Sequence, residues 1–244
     1  MPKLEPYSRK GDISYALGVF PALEFMKSRP EYAERLLLNP DGYENEGVAK
    51  LRALCRDLGV REEEAQRVLR RESKKDNCFA GVAFRKFEDR LENSPCHVVL
   101  CQISDQGNLG TALRTLLAFG IRDVAMVRPC VDEFDPHVLR ASMGARFKLR
   151  LKVYDDFSQY RAEFPERALY PFMLDGSVSL DEIRSFPKDN YTLVFGNEQR
   201  GLPAEFAAMG QPVRIPQSED VDSLNLAVAV AVGSYTFRFS RKDG

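Results

Sequence analysis

The sequence predicts an α/β protein whose larger part is a mostly parallel sheet with helices on both faces. Three observations lead there. From about residue 96 onward, apolar strand-like runs alternate with helical stretches, as they do when each helix carries the chain back to begin the next parallel strand. The helices carry their own start and stop signals, among them Asp135-Pro136, a capping box from Ser179 to Glu182, and Gly120. A polar stretch at residues 86–95, ending in Asn93-Ser94-Pro95, reads as a linker and separates a smaller front unit. For 244 residues, two modest domains each have enough apolar sequence for a core.

The front unit, residues 12–87, reads as a small α/β domain. Its opening, Ile13-Ser-Tyr-Ala-Leu-Gly-Val-Phe-Pro-Ala-Leu-Glu-Phe-Met-Lys27, reads as helical, broken near Gly18 and Pro21. Then come a strand over 33–38, a helix over about 46–58 stopped by Gly59, a charged helix over 62–72 and a strand around 78–84. Beyond the linker the order is a strand at 98–103, a loop through Asp105-Gln-Gly-Asn108, a helix over about 110–119, a strand at 124–127, and a helix opened by Asp135 and Pro136. Phe147-Lys-Leu-Arg-Leu-Lys-Val153 alternates strictly, so Lys148, Arg150 and Lys152 share one strand face. Three more strands, at 169–174, 192–195 and 213–215, are separated by the capping-box helix and another near 203–209. A long apolar helix from about Ser223 closes the chain.

Composition narrows the function. Five cysteines form no Cys-x-x-Cys pair, and His97 and His137 lie far apart, so neither a zinc site nor a disulfide framework is expected; Cys101, inside an apolar run, reads as a packed thiol. No apolar run is long enough to cross a bilayer and the start lacks a signal-like stretch, so the expected location is cytoplasmic. The net charge is −1; residues 1–95 hold 18 Lys+Arg against 17 Asp+Glu, leaving 17 against 19 of the totals of 35 and 36. Such balance excludes a protein that coats nucleic acid non-specifically and leaves local patches, such as Arg67, Arg70, Arg71, Lys74 and Lys75, to meet phosphate.

The chain lacks the Gly-x-Gly-x-x-Gly turn of many nucleotide-binding sheets. Three other fragments carry the chemistry, each expected at the C-terminal end of a strand. Asn108-Leu-Gly-Thr-Ala-Leu-Arg114 offers an amide that can order a loop or bond a ribose hydroxyl, and a guanidinium that can grip phosphate. Gly196-Asn-Glu-Gln-Arg-Gly201 follows an apolar strand, with Gly196 where a ligand could approach the backbone and Glu198 in the loop. Ser223-Leu-Asn225 opens the last helix, with Ser223 as its expected N-cap.

In this order the fragments resemble the three motifs of the SpoU (TrmH) family of SPOUT RNA methyltransferases, a likeness covering about residues 96–240 and including Arg140-Ala-Ser-Met-Gly-Ala145. The front unit is similar to the family's L30e-like substrate-binding extension, through Gly18-Val-Phe-Pro-Ala-Leu-Glu-Phe and Arg35-Leu-Leu-Leu. The resemblance implies an L30e-like RNA-binding domain over 1–90 and a SPOUT domain over 96–244 with a deep trefoil knot. It also implies S-adenosylmethionine as methyl donor, held by Leu174, Gly196, Gly201, Ile215 and Leu224. Transfer to a ribose 2′-hydroxyl of RNA, ribosomal in preference to transfer RNA, would then involve Arg114, Asn108, Glu198, Ser223 and Asn225, in a homodimer joined through the last helix. Two other readings are a catalytically silent RNA-binding factor of the same fold and an enzyme methylating a base nitrogen. The third motif departs from the family's common Ile-Pro-Met-x-Gly, reading Ile215-Pro-Gln-Ser-Glu219, and Ala227 stands where serine is frequent; the first change puts donor affinity in doubt.

Overall fold

A computed structural model describes residues 4–183 and 189–239, in two compact units: residues 1–87 with 132–148, and residues 88–131 with 149–244. In chain order the first unit holds β1 (Ile13–Leu17), α1 (Val19–Ser28), β2 (Ala33–Leu38), α2 (Glu46–Asp57), β3 (Glu62–Glu64), α3 (Gln66–Ser73) and β4 (Ala80–Arg85). The chain then builds β5 (Cys96–Cys101), α4 (Gln106–Ala118) and β6 (Asp123–Val127) of the second unit. It returns to the first for α5 (Pro136–Ala141) and a 3₁₀ turn (Ala145–Lys148). The remainder is β7 (Arg150–Tyr154), α6 (Phe157–Glu163), β8 (Ala168–Pro171), β9 (Val178–Ser179), β10 (Tyr191–Phe195), β11 (Val213–Arg214) and α7 (Leu226–Phe239).

In the first unit the sheet order is β1-β4-β2-β3, antiparallel except for the β2–β3 pair. The expected opening helix is a strand as far as Leu17. Tyr15 and Leu17 pack with Leu37 and Leu69 on one face while Ala16 packs with Phe25 and Leu36 on the other, and a strand buried on both faces has no alternation to reveal it. Gly18, at φ +90°, makes the turn into α1. The charged helix expected over 62–72 is shorter and begins at Gln66. Glu62–Glu64 instead form an edge strand, where Arg52 and Arg35 pair with Glu62 and Glu63 at 2.7 Å each. Residues 132–148 join this unit's core: Phe134, Leu139 and Phe147 pack with Phe25 and Phe84, and the Ser14 hydroxyl donates to the Phe134 carbonyl at 2.5 Å. The seven-residue strand expected from Phe147 is therefore split. Phe147 lies in the 3₁₀ turn with its ring 5.0 Å from that of Phe25, and the strand starts at Arg150.

In the second unit five strands run parallel in the order β7-β6-β5-β10-β8, and β9 pairs with β11. Both central strands, β5 and β10, are wholly buried. Their polar residues are satisfied in one network. The His97 Nε2–H donates to the Glu92 carbonyl at 2.7 Å, which leaves Nδ1 to accept from the Tyr160 hydroxyl at 3.0 Å. Thr192 bonds Tyr160 at 2.7 Å and accepts from Arg167, whose guanidinium also donates to the carbonyls of Ser94, Pro95 and Tyr191. Burial, with Arg167 beside it, pushes His97 down to about 4. Burial pushes the Cys101 thiol up to about 12, so it is a packed thiol rather than a thiolate. Among the described residues no helix is long and apolar enough to cross a membrane, and no cluster of His, Cys, Asp and Glu could hold a metal.

Candidate active site at the β5 and β10 strand ends

β5 has β6 on one side and β10 on the other, so the chains leaving the C-terminal ends of β5 and β10 diverge there, the usual ligand position in such sheets. The first two fragments leave from these ends. α4 begins earlier than expected, at Gln106. Asp105 is its N-cap and accepts from the Asn108 N–H at 2.7 Å, so Asn108 sits within the first turn rather than in a loop.

The Glu198 carboxylate receives donors from both strand ends. One oxygen accepts from the Asp105 N–H at 3.2 Å and the Asn108 side-chain amide at 3.4 Å. The other accepts from the Ser104 N–H at 3.3 Å, the Ser104 hydroxyl at 3.1 Å and the Asn197 amide at 3.2 Å. Burial alone would raise this carboxyl, but the backbone N–H groups of Glu198, Asp105 and Ser104, with the Ser104 hydroxyl, outweigh it and hold it below the usual carboxylate range.

The third fragment joins through Asn225. Its Oδ1 accepts from the Ala227 N–H at 2.9 Å and its carbonyl from the Ala229 N–H at 2.9 Å, so Asn225, and not Ser223, caps α7. That fixes the amide's orientation, and its Nδ2 donates to Asn108 Oδ1 at 2.8 Å. Asn108 is in turn left with its own Nδ2 toward Glu198, which can only accept. A directional chain thus runs from the α7 cap through Asn108 to Glu198.

Beside this chain lies a cavity of about 430 Å³, lined by Leu174, Gly196, Gly201, Ile215, Ser223 and Leu224, and by Glu198 at one side. Phe172 and Phe195, stacked with ring centroids 4.4 Å apart, close it below. Gly196 is small for a different reason than ligand approach. An added Cβ would run into the Gly201 carbonyl and the Leu202 nitrogen, because Asn197 and Gly201 exchange backbone hydrogen bonds across a tight turn. Gly201 itself sits at φ +66°. Gln217 lines the cavity but Glu219 does not; Glu219 lies exposed in a loop where Gln217 donates to the Asp222 carbonyl at 3.4 Å and Ser218 to Asp220 at 2.5 Å.

Arg114 is exposed two turns into α4 and, among the described residues, makes no hydrogen bond or ion pair; the Ser223 hydroxyl is likewise unengaged. The structure therefore brings Asn108, Glu198 and Asn225 into direct contact and leaves Arg114 and Ser223 free. The sequence did not single out Ser104, Asp105 or Asn197. Asn197 also donates to the Gln102 carbonyl at 2.8 Å, and Gln102 holds the left-handed φ of +58°, which only coordinates can show.

Residues 95–235 match the family described as the SpoU rRNA Methylase family. An uncharacterized tRNA/rRNA methyltransferase of Synechocystis is 34% identical over 144 residues, covering 58% of this chain and 52% of its own length. A 23S rRNA guanosine 2′-O-methyltransferase of Bacillus subtilis is 27% identical over 154 residues, covering 62% and 61%. This chain spans about half the length of the curated relatives it matches. The crystal structure of an AdoMet-bound rRNA methyltransferase from Sinorhizobium meliloti superposes with a TM-score of 0.78 at 24% identity, over 93% of this chain and 87% of that one, which establishes the fold. With the family match extending over more than half of its residues, the chain belongs to the SpoU rRNA Methylase family.

Proposed function

We propose that the protein uses S-adenosylmethionine to methylate a ribose 2′-hydroxyl of RNA, ribosomal RNA in preference to transfer RNA. The observation that carries this reading is the cavity beside the Asn225–Asn108–Glu198 chain. It has a ligand-sized volume, apolar walls at Leu174, Ile215 and Leu224, and exposed backbone along Gly196 and Gly201. These features fit an adenine and a methionine chain held by apolar contact and backbone groups. When bound, the donor would supply an electrophilic methyl carbon. The B. subtilis relative's ribose chemistry supports the acceptor. Threading of the segment after β11 into the family's knot, and an RNA-binding role for the front domain over residues 1–90, belong to the same reading.

The residues divide the work. Glu198 does not serve as a base, since five donors occupy its oxygens and it stays charged; it clamps the two strand ends together. Asn108 and Asn225 fix the cavity wall. Arg114, free of internal partners, holds a phosphate and polarises the hydroxyl, while alignment of the oxygen with the methyl carbon supplies most of the acceleration. A guanidinium does not accept the proton, which leaves to solvent.

α7 exposes Val228, Val232, Tyr235 and Phe239 along one face, with Phe119 against the last two rings at 5.8 Å each, and this stripe supports pairing with a second copy. Titration calorimetry with S-adenosylmethionine, then label transfer to RNA and mass spectrometry of the digested nucleosides, tests the function. Donor binding with 2′-O-methylated product is expected. Base-methylated product, or RNA binding without transfer, would replace it with one of the two other readings.

A further inference from the structure

Within the first unit, the C-terminal ends of α3 and α5 meet: the Arg140 guanidinium donates to the Ser73 carbonyl at 3.0 Å. Arg67, Arg70, Arg71 and Lys74 share one face of α3, and Lys75 follows. Arg70 is neutralised by Asp76 at 2.7 Å and Arg71 by Glu72 at 2.5 Å. Arg67, Lys74 and Lys75 are exposed and, among the described residues, form no ion pair. A cation at a helix end often serves to satisfy the last carbonyls. Here Arg140 does that, and neither lysine side chain makes a hydrogen bond among the described residues.

Both helix ends are closed by side-chain-bearing residues in the left-handed region. Lys74 closes α3 at φ +52°, its N–H on the Arg70 carbonyl, and Met143 follows α5 at φ +51°, 37% exposed. Glycine or asparagine fills such positions without this strain, so a lysine and an exposed methionine kept there indicate a use for the side chains.

We propose that this junction is a docking surface for the phosphate backbone of an unpaired RNA segment, with Lys74 and Lys75 contacting phosphates, Arg67 extending the track, and Met143 offering an apolar contact to a base. RNA is the occupant because the surplus is cationic in a domain balanced overall. The proposal rests on the RNA-methylating function above.

Lys74→Gly with Lys75→Ala separates a docking role from a structural one, since the glycine removes a charge while relieving the strain. The full chain would be titrated against a fluorescently labelled RNA hairpin with an unpaired loop at several salt concentrations, alongside donor binding and thermal unfolding. The double variant should bind about tenfold more weakly at low salt and lower the salt slope by about two. Its melting temperature should hold or rise and donor binding should not change. A control lacking Lys27 and Lys50, which pair with Glu24 and Glu46, should keep the native slope. An unchanged slope in the double variant, or an equal fall in the control, overturns the surface alone. If the unaltered chain binds neither donor nor RNA, the functional reading falls and takes the surface with it.

Discussion

Asn225 donates to Asn108 at 2.8 Å across 117 residues of sequence, and through it the start of the last helix controls the first turn of α4. The same side chain caps α7 through its oxygen. The two duties can be separated. Asn225→Asp keeps a capping acceptor but cannot donate to Asn108, whereas Asn225→Ala loses both. The aspartate variant is expected to melt near the native temperature yet lose methyl transfer about tenfold or more. The alanine variant should also lose about 1 kcal/mol of stability, the usual worth of a cap. Calorimetric melting with a label-transfer assay checks both, and full activity in the aspartate variant would remove the link from the mechanism.

Glu198→Gln tests the clamp. One carboxylate oxygen becomes an NH₂ facing existing donors, so at least one hydrogen bond is lost and a repulsive pair is created, at a cost of about 1–3 kcal/mol. Because the native carboxyl lies below its ordinary 4.5, its stabilisation is present above that value and is lost as pH falls through the depressed one. Activity should therefore show no Glu198-dependent fall above pH about 5. An acidic limb near pH 6 that vanished in the glutamine variant would make Glu198 a base after all.

Two glycines of one loop should respond differently to alanine. At Gly196 a Cβ meets the backbone of Gly201 and Leu202, which cannot move without opening the turn, so Gly196→Ala should destabilise by about 3 kcal/mol or fail to fold. At Gly201 no atom lies within 4 Å of the added Cβ, and only the left-handed φ of +66° resists, at about 1 kcal/mol. Urea midpoints of the two variants decide it, and equal values would mean the Asn197–Gly201 turn is looser than drawn.

How much of this was legible before coordinates depends on how each element is buried. β2 and α2 carry ordinary one-dimensional signals, and their positions follow the sequence closely. β1 does not, because both its faces are covered, and β3 does not, because three glutamates become strand-compatible only beside Arg35 and Arg52. The polar residues of the site were legible as three fragments. That Asn108 contacts both Glu198 and Asn225, while Arg114 contacts neither, was not, since each pairing depends on which loops the sheet order brings together. Ser104 is an ordinary loop serine until β10 is placed beside β5.

His97 makes stability sensitive to acid. Its folded value of about 4 against an ordinary 6.5 means that the unfolded chain takes up the proton first. Stability is complete above pH 6.5 and falls as pH drops toward 4, by about 3 kcal/mol in all. Urea unfolding between pH 7 and 5 isolates this from most carboxylates. His97→Gln should lower stability at pH 7 but flatten the dependence; an equally steep fall in that variant would assign the effect elsewhere.

Arg114 offers the sharpest test of the chemistry. It lies outside the cavity lining and, among the described residues, holds no internal partner, so its replacement should leave both folding and donor binding intact. If the guanidinium acts as a fork on phosphate and hydroxyl, a lysine keeps the charge but loses the geometry. Arg114→Lys should then be nearly as inactive as Arg114→Ala, each down about a hundredfold or more in kcat, with unchanged calorimetric affinity for S-adenosylmethionine. If charge alone suffices, Arg114→Lys will retain much of the native rate, and the planar clamp must give way to simple electrostatic attraction of the RNA. Reduced donor affinity in both variants would place Arg114 at the donor instead.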